Sequence, residues 1–252
     1  VGEDFTYNLG LNITFTKNKL RKTNELSNIE DYRKSIGQPT SAIFGWQSQG
    51  LFGKDVAIAG HPFQSFGNYQ VGDIAYADLN NDGMVDNNDQ TCIGQSFPKT
   101  TLGVDVTLNY KGFGLYILGT ATTGVTQMLT STYYWNKGLD GYSVLAEERY
   151  HPVNNPTGTQ PRLTTTSGVN NYRNSTFWTK KGSFFRLKNV ELSYTLNNNS
   201  KKGIGKNYKF FVRGANLFVL SGIKELDPEQ MLAGISNYPV YRTITGGVSI
   251  NF

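Results

Sequence analysis

Cysteine, histidine and long apolar runs are all scarce in this chain of 252 residues. The single cysteine, Cys92, excludes an internal disulfide framework and any cysteine-based zinc site. A small, half-buried side chain is the expectation for it. His61 and His151 each precede a proline and have no Ser, Cys or metal-ligand partner at a meaningful spacing. Structural or surface roles are expected for both. No segment approaches 18 consecutive apolar residues, so no transmembrane helix is present. Charged residues make up only 17 %, and the net charge of +5 is spread thinly, with Lys17 to Lys22 and Lys201 to Lys206 as the main clusters. A nucleic-acid partner would call for a denser basic stripe and a recognisable motif, so none is expected. Glu147 and Glu148 are adjacent, which places them poorly to share a catalytic site. The glycines from Gly45 to Gly53 lack the Lys-Ser/Thr of a phosphate loop. No enzyme is expected.

What the chain has in quantity is aromatic side chains and glycine. Fifteen Tyr, 15 Phe and 28 Gly read as β-rich structure with many turns. From Phe5 to Lys17 an apolar series, Phe5, Tyr7, Leu9, Leu11, Ile13 and Phe15, alternates with Thr6, Asn8, Gly10, Asn12, Thr14 and Thr16. Side chains of a strand alternate faces, so strict period-2 alternation predicts a strand, not a helix. Five more follow: Leu102 to Tyr110, Phe113 to about Thr122, about Phe184 to Leu196, Tyr208 to Val219, and Arg242 to Phe252. The strand from Tyr208 alternates less cleanly, since Arg213 and Asn216 fall on opposite faces. The last strand carries Ile244, Gly246, Val248, Ile250 and Phe252 on one face and Thr243, Thr245, Gly247, Ser249 and Asn251 on the other.

Connections alternate between short and long. Lys111-Gly112 and the polar stretch Asn197 to Asn207 are turns, whereas about 18–100, 123–183 and 220–240 are long loops. Tight periplasmic turns, long extracellular loops and strands with one apolar face describe an outer-membrane β-barrel. Six such strands close no useful pore and leave two unpaired edges. The expected fold is therefore all-β: part of a transmembrane antiparallel β-barrel, with outer-membrane lipid on its apolar side. Residues 1–252 are expected to be one barrel segment. The amino terminus has no signal-peptide pattern and enters a strand at once, as if further chain preceded it. Phe252 is expected at the periplasmic rim.

Within the first long loop, Asp78, Asn80, Asp82, Asp86 and Asp89 occupy positions 1, 3, 5, 9 and 12 of a calcium loop. Met84 would offer its backbone carbonyl at position 7, and Gly83 supplies the sharp turn at position 6. Position 12 is Asp in place of the usual Glu, and its shorter reach weakens or alters bidentate contact. A loop of Asx-turns without metal is the alternative. If Ca²⁺ binds here, its role would be to stiffen a long extracellular loop. The loops are also rich in rings, among them Trp46, Tyr133, Tyr134, Trp135, Tyr142, Tyr172, Phe177 and Trp178. Aromatic rings stack on the apolar faces of sugars and their polar tips hydrogen-bond. Trp46, Tyr133, Tyr134, Trp135 and Trp178 are thus candidate contacts for a substrate or partner, with loop packing or an interfacial girdle as the plainer role.

Several runs, in order, carry a resemblance. They are Gly72-Asp-Ile-Ala-Tyr-Ala-Asp-Leu-Asn-Asn-Asp-Gly83, Ile93-Gly-Gln-Ser-Phe-Pro-Lys99, Tyr110-Lys-Gly-Phe113, Phe177-Trp178, Gly182-Ser-Phe-Phe-Arg-Leu-Lys-Asn-Val-Glu-Leu-Ser-Tyr194, Asn216-Leu-Phe218 and Tyr238-Pro239. Together with the terminal strand they resemble the carboxy-terminal portion of the SusC/RagA-like TonB-dependent transporters of Bacteroidetes-type outer membranes. That resemblance implies a 22-stranded barrel whose last six strands lie here, located in the bacterial outer membrane. It also implies a plug domain and TonB box ahead of Val1, a SusD-like surface lipoprotein as lid, and TonB-driven import of a glycan or, in some members, a peptide. Two other readings compete with it: a secreted, Ca²⁺-stabilised β-rich adhesin or glycan-binding module, and a glycoside hydrolase.

Overall fold

The computed structural model describes residues 4–26, 29–139, 141–164, 170–197, 207–230 and 238–251. Six long strands carry the architecture: β1 (Phe5–Phe15), β2 (Thr100–Tyr110), β3 (Phe113–Thr123), β4 (Phe184–Asn197), β5 (Asn207–Ser221) and β6 (Thr243–Asn251). They form one antiparallel sheet in chain order, and β1 and β6 are its two edges. All six expected strands are present, within a few residues of their expected limits. Phe252 and the turn residues 198–206 lie outside the described residues, so the expectations placed on them do too.

Register turns the sequence alternation into two faces. Pairs such as Leu9↔Val106 and Ile13↔Leu102 join β1 to β2, Val106↔Ile117 joins β2 to β3, and Leu192↔Leu115 joins β4 to β3. Val212↔Leu192 and Phe210↔Val248 carry the same apolar face across β5 to β6. That face is open: Leu9, Leu11, Leu192, Val212 and Ile244 are all more than half exposed. Aromatic residues mark both ends. Phe5, Tyr110, Phe113 and Tyr194 lie at the turn end, where the Phe113 and Tyr194 rings are 4.6 Å apart, while Phe15, Phe185 and Phe218 lie at the loop end. An 11-residue strand spans about 34 Å, or about 26 Å upright at ~40° of tilt. This matches the apolar band of a membrane barrel.

Two local features fix the geometry. Lys111 and Gly112 have φ of +46° and +85°. A turn with two left-handed residues twists as its flanking strands do. Glycine is required at the second position, because a Cβ there would lie 2.8 Å from the Thr195 carbonyl oxygen. The second feature is a bulge. The register of β4 shifts between Leu187 and Asn189 against both neighbours, and Asn216 on β5 has φ of +52°. An extra residue reverses the facing of everything beyond it. Arg186 therefore reaches the same side as Glu191, despite their odd separation. The bulge also explains the imperfect alternation of β5, because Asn216 stands outside the regular pleat.

Among the described residues, the buried apolar core lies in the long loops and not in the sheet. Trp46, Leu51, Phe66, Ile74, Tyr76, Val85, Leu129, Tyr134, Tyr150, Trp178 and Ile223 form a single cluster. Small strand pairs frame it: Ala42–Gly45 with Thr91–Gln95, Ser48–Leu51 with Ile74–Tyr76, Phe63–Gln64 with Met84–Val85, and Thr126–Met128 with Thr179–Lys181. Residues of all three loops between wall strands contribute, so they fold together as one body above one end of the sheet.

Candidate functional site

The polar face of the sheet combines uncharged groups with a few compensated charges. β1 contributes Thr6, Asn8, Asn12 and Thr14, β2 contributes Thr101, Asp105, Thr107 and Asn109, and β6 contributes Thr243, Thr245, Ser249 and Asn251. Gly10 is the space into which Asp105 reaches, since a Cβ there would overlap its carboxylate. β3 is mixed, with Tyr116 and Leu118 beside Thr120 and Thr122. On β4, Glu191 is 7 % exposed and accepts from Lys209 Nζ at 2.6 Å and Arg213 Nε at 2.8 Å, both on β5. Nearer the loops Arg186, 3 % exposed, donates to both oxygens of Asp227 at 2.6–2.7 Å. Glu229 sits 3.2 Å from Arg186 Nε and 2.9 Å from Lys188 Nζ. A buried charge is tolerated when it is paired and hydrogen-bonded. These contacts tie the third loop to the wall.

Above the wall, a buried polar network holds the first and second loops together. Gln64 donates to Asn170 Oδ1 at 2.6 Å and accepts from Tyr76 N at 2.7 Å. Asn171 accepts from Ile74 N at 2.9 Å and donates to Asp73 Oδ1 at 2.8 Å. Arg162 Nε lies 2.8 Å from the same Asp73 oxygen. Trp178 Nε1 donates to Asn171 O at 2.7 Å, and Trp46 Nε1 donates to Asp86 O at 2.7 Å. The Arg173 guanidinium lies 3.9 Å from the Phe66 ring centroid. Burial raises the Tyr76 phenol above its ordinary pKa and pushes Tyr172 up to about 12. The Tyr134 phenol is raised by burial and by Glu225, whose Oε2 is 3.4 Å away.

The residues singled out from sequence fall into distinct environments. Trp46, Tyr134 and Trp178 are 7 %, 3 % and 2 % exposed, so their rings are occupied by the loop core. Tyr133 and Trp135 pack partly buried against that core, with Lys137 Nζ 5.6 Å from the Trp135 ring. In the candidate calcium loop the carboxylates bind backbone N–H groups. Asp78 accepts from Asn81 and Gly83 at 2.7 and 2.9 Å, and Asp82 accepts from Met84 at 2.9 Å and from the Asn80 amide at 2.8 Å. Asp86 accepts from Asn88 N at 2.6 Å, while buried Asp89 accepts from Leu79 and Asp86 at 2.7 and 2.8 Å. Among the described residues no three His, Cys, Asp or Glu side chains converge to hold a metal ion. As arranged, these carboxylates close a series of Asx-turns. Glu148 accepts from Thr159 Oγ1 at 2.6 Å, and His151 Nδ1 accepts from Val153 N and Asn154 N. Both have local structural partners.

The buried network was missed in the sequence because Gln64, Asn170 and Asn171 are polar residues within loops, with no periodicity to mark them as interior. The density of rings around them was the available signal.

A sheet with one apolar and one polar face, aromatic rims, a two-residue turn at one end and long loops at the other is the wall of an outer-membrane β-barrel. No family model matches the chain. In sequence it is similar to TonB-dependent receptor P26 of Formosa agariphila, 31 % identical over 198 residues, which cover 72 % of this chain and 20 % of that protein. TonB-dependent receptor P3 of the same organism is 23 % identical over 277 residues, covering 99 % of this chain and 27 % of that one. In fold it is similar to the RagAB peptide transporter, with a TM-score of 0.70 and 18 % identity over 98 % of this chain and 27 % of that one. The RagAB peptide importer in its open-open state gives 0.71 and 17 %, over 100 % and 27 %. This chain therefore spans only 20–27 % of the length of the relatives it matches. The fold is that of a portion of a TonB-dependent transporter barrel of the outer membrane, and the sequence is similar to that of TonB-dependent receptors.

Proposed function

We propose that this chain supplies part of the wall and the outer mouth of a transporter that imports an oligosaccharide across the outer membrane, powered through TonB. The long loops face the cell exterior and the short turns face the periplasm, as in other outer-membrane barrels. Energy enters through a plug outside this segment, and a SusD-like surface lipoprotein closes the mouth. The observation that carries the reading is the polar face. Its Thr, Ser and Asn groups on β1, β2 and β6 offer donors and acceptors suited to sugar hydroxyls, while Glu191 and Arg186 are already paired within the protein. Peptide import is the second reading, favoured by the fold shared with the RagAB peptide transporter. Uptake of fluorescent oligosaccharides and oligopeptides by cells with and without the full-length transporter decides between them. Loss of oligosaccharide uptake alone is expected on deletion. Loss of peptide uptake alone would establish the second reading, and loss of neither would refute import of both classes.

A further inference from the structure

The basic cluster beginning at Lys17 lies directly past the end of the apolar column of β1. That column runs Leu9, Leu11, Ile13, Phe15, and pairing with β2 continues one step further, where Thr16 N donates to Lys99 O at 2.8 Å. The next alternate residues are Lys17, Lys19 and Arg21, all exposed. The residues between them are held to the loop. Asn18 Oδ1 accepts from Thr40 N at 2.8 Å, and Leu20 bonds Gln38 O and Gly37 N, each at 2.8 Å. Among the described residues, no ion pair engages Lys17, Lys19 or Arg21. Two adjoining grooves, of about 440 and 420 Å³, share Lys17 and Lys19 as lining. The first is floored by Phe15 and Phe97, which are 76 % and 66 % exposed, and the second reaches Arg21.

Unpaired cations set just above exposed phenylalanines match the boundary between acyl chains and headgroups. Long basic side chains lay their stems on the apolar side there and place their charge among phosphates. Alternate residues of an extended chain lie about 6.6 Å apart, so three cations cover about 13 Å. We propose that Lys17, Lys19 and Arg21 bind a phosphorylated lipid headgroup in the leaflet next to the long loops. Phe15 and Phe97 would hold the start of its acyl chains. The identity of that leaflet rests on the orientation proposed above.

The test uses the full-length transporter in detergent, with native mass spectrometry to count retained lipid. Diphosphoryl lipid A is compared with its dephosphorylated form, and inorganic phosphate is the free competitor. Wild type should retain the phosphorylated lipid selectively. The triple variant K17Q/K19Q/R21Q should lose about 100-fold in affinity for it, from about fivefold per cation near an anionic surface. A heat-modifiable band on electrophoresis confirms that the variant is folded. Equal retention of both lipids, no effect of the triple substitution, or full displacement by millimolar phosphate would each overturn the proposal. So would protection of Lys17 and Lys19 from a water-soluble amine reagent in lipid-free detergent, since neighbouring polypeptide would then cover the stripe. Orientation is read separately by labelling Leu139→Cys on intact cells with an impermeant maleimide. Failure there refutes the placement of the loops and leaves lipid retention as its own result.

Discussion

Replacing Asn171 by alanine should open the loop body locally and leave the barrel wall folded. Asn171 is 1 % exposed, and its side chain accepts from Ile74 N at 2.9 Å and donates to Asp73 Oδ1 at 2.8 Å. Truncation leaves the buried Ile74 N–H without a partner, at a cost of about 2 kcal/mol. Asp73 keeps Arg162 and the Gln70 N–H, so the loss there is smaller, about 1 kcal/mol. The sum of about 3 kcal/mol corresponds to a fall of about 100-fold in amide protection when exchange follows local opening. The assay is hydrogen exchange by mass spectrometry on the purified full-length transporter. It follows peptides covering 63–76, with peptides from β2 and β3 as internal reference. Tyr76 N, which donates to Gln64 Oε1 at 2.7 Å, should lose protection along with Ile74. A change of less than about threefold in 63–76, or an equal change in β2 and β3, would refute the view that this network holds the loops as a unit separate from the wall.

Leu11→Arg places a charge on the apolar face at the middle of β1 and should cost about 2–4 kcal/mol, whereas Asn12→Arg on the opposite face should cost under about 1 kcal/mol. The folded fraction across a urea series checks this, and equal costs would contradict the assignment of faces. Alkaline titration should loosen the loop body. The Tyr76, Tyr134 and Tyr172 phenols are raised by burial, so their stabilisation is complete below the unfolded value near 10 and is lost as pH rises above it. Phenolate absorbance should show a late phase that coincides with faster exchange in the loops, and ionisation of every tyrosine near pH 10 would exclude it. Asp89→Ala should remove about 2 kcal/mol of local stability, because both carboxylate oxygens accept backbone N–H groups. Exchange in 78–89 with Ca²⁺ added and chelated decides between the two readings of that loop: tenfold protection by millimolar Ca²⁺ supports the calcium loop, and no change supports Asx-turns alone.

Legibility followed periodicity. β1 and β6 could be read residue by residue because lipid on one side and polar groups on the other enforce a period of two. β4 and β5 were legible up to Lys188 and Asn216, where a bulge breaks the period and a long-range pairing decides the register. The loop core had no period to read. Trp46, Tyr134 and Trp178 were conspicuous as large rings, yet composition does not distinguish a ring that stacks on a ligand from one that packs on its neighbours. Contacts from distant segments decide that, such as Trp178 to Asn171 and Trp46 to Asp86. The same limit applied to Asp78–Asp89. Its spacing suits a calcium loop and successive Asx-turns alike, and spacing by itself does not choose between them.

The long loops carry the buried core of this chain, and that bears on how the mouth of the barrel can move. A loop that stays open pays little extra closure entropy for its length, but it also has no defined shape. Here Ile74, Tyr76 and Trp178 are fully or almost fully buried, and Gln64, Asn170 and Asn171 satisfy one another between loops. A cluster of this kind opens as a cooperative unit and not residue by residue. Its ion-paired link to the wall is narrow by comparison: Arg186 and Lys188 on β4 grip Asp227 and Glu229, while within the loop body Lys180 lies 3.5 Å from Glu225. Burial raises the pKa of Glu225, but backbone N–H groups and Lys180 outweigh that and hold it below its ordinary value. Its contribution to stability is therefore present above the usual carboxylate range and fades as pH falls through that range. High salt should accordingly loosen the ion-paired joint between loop body and sheet, and acid the Lys180–Glu225 pair within the loop body, before either part unfolds.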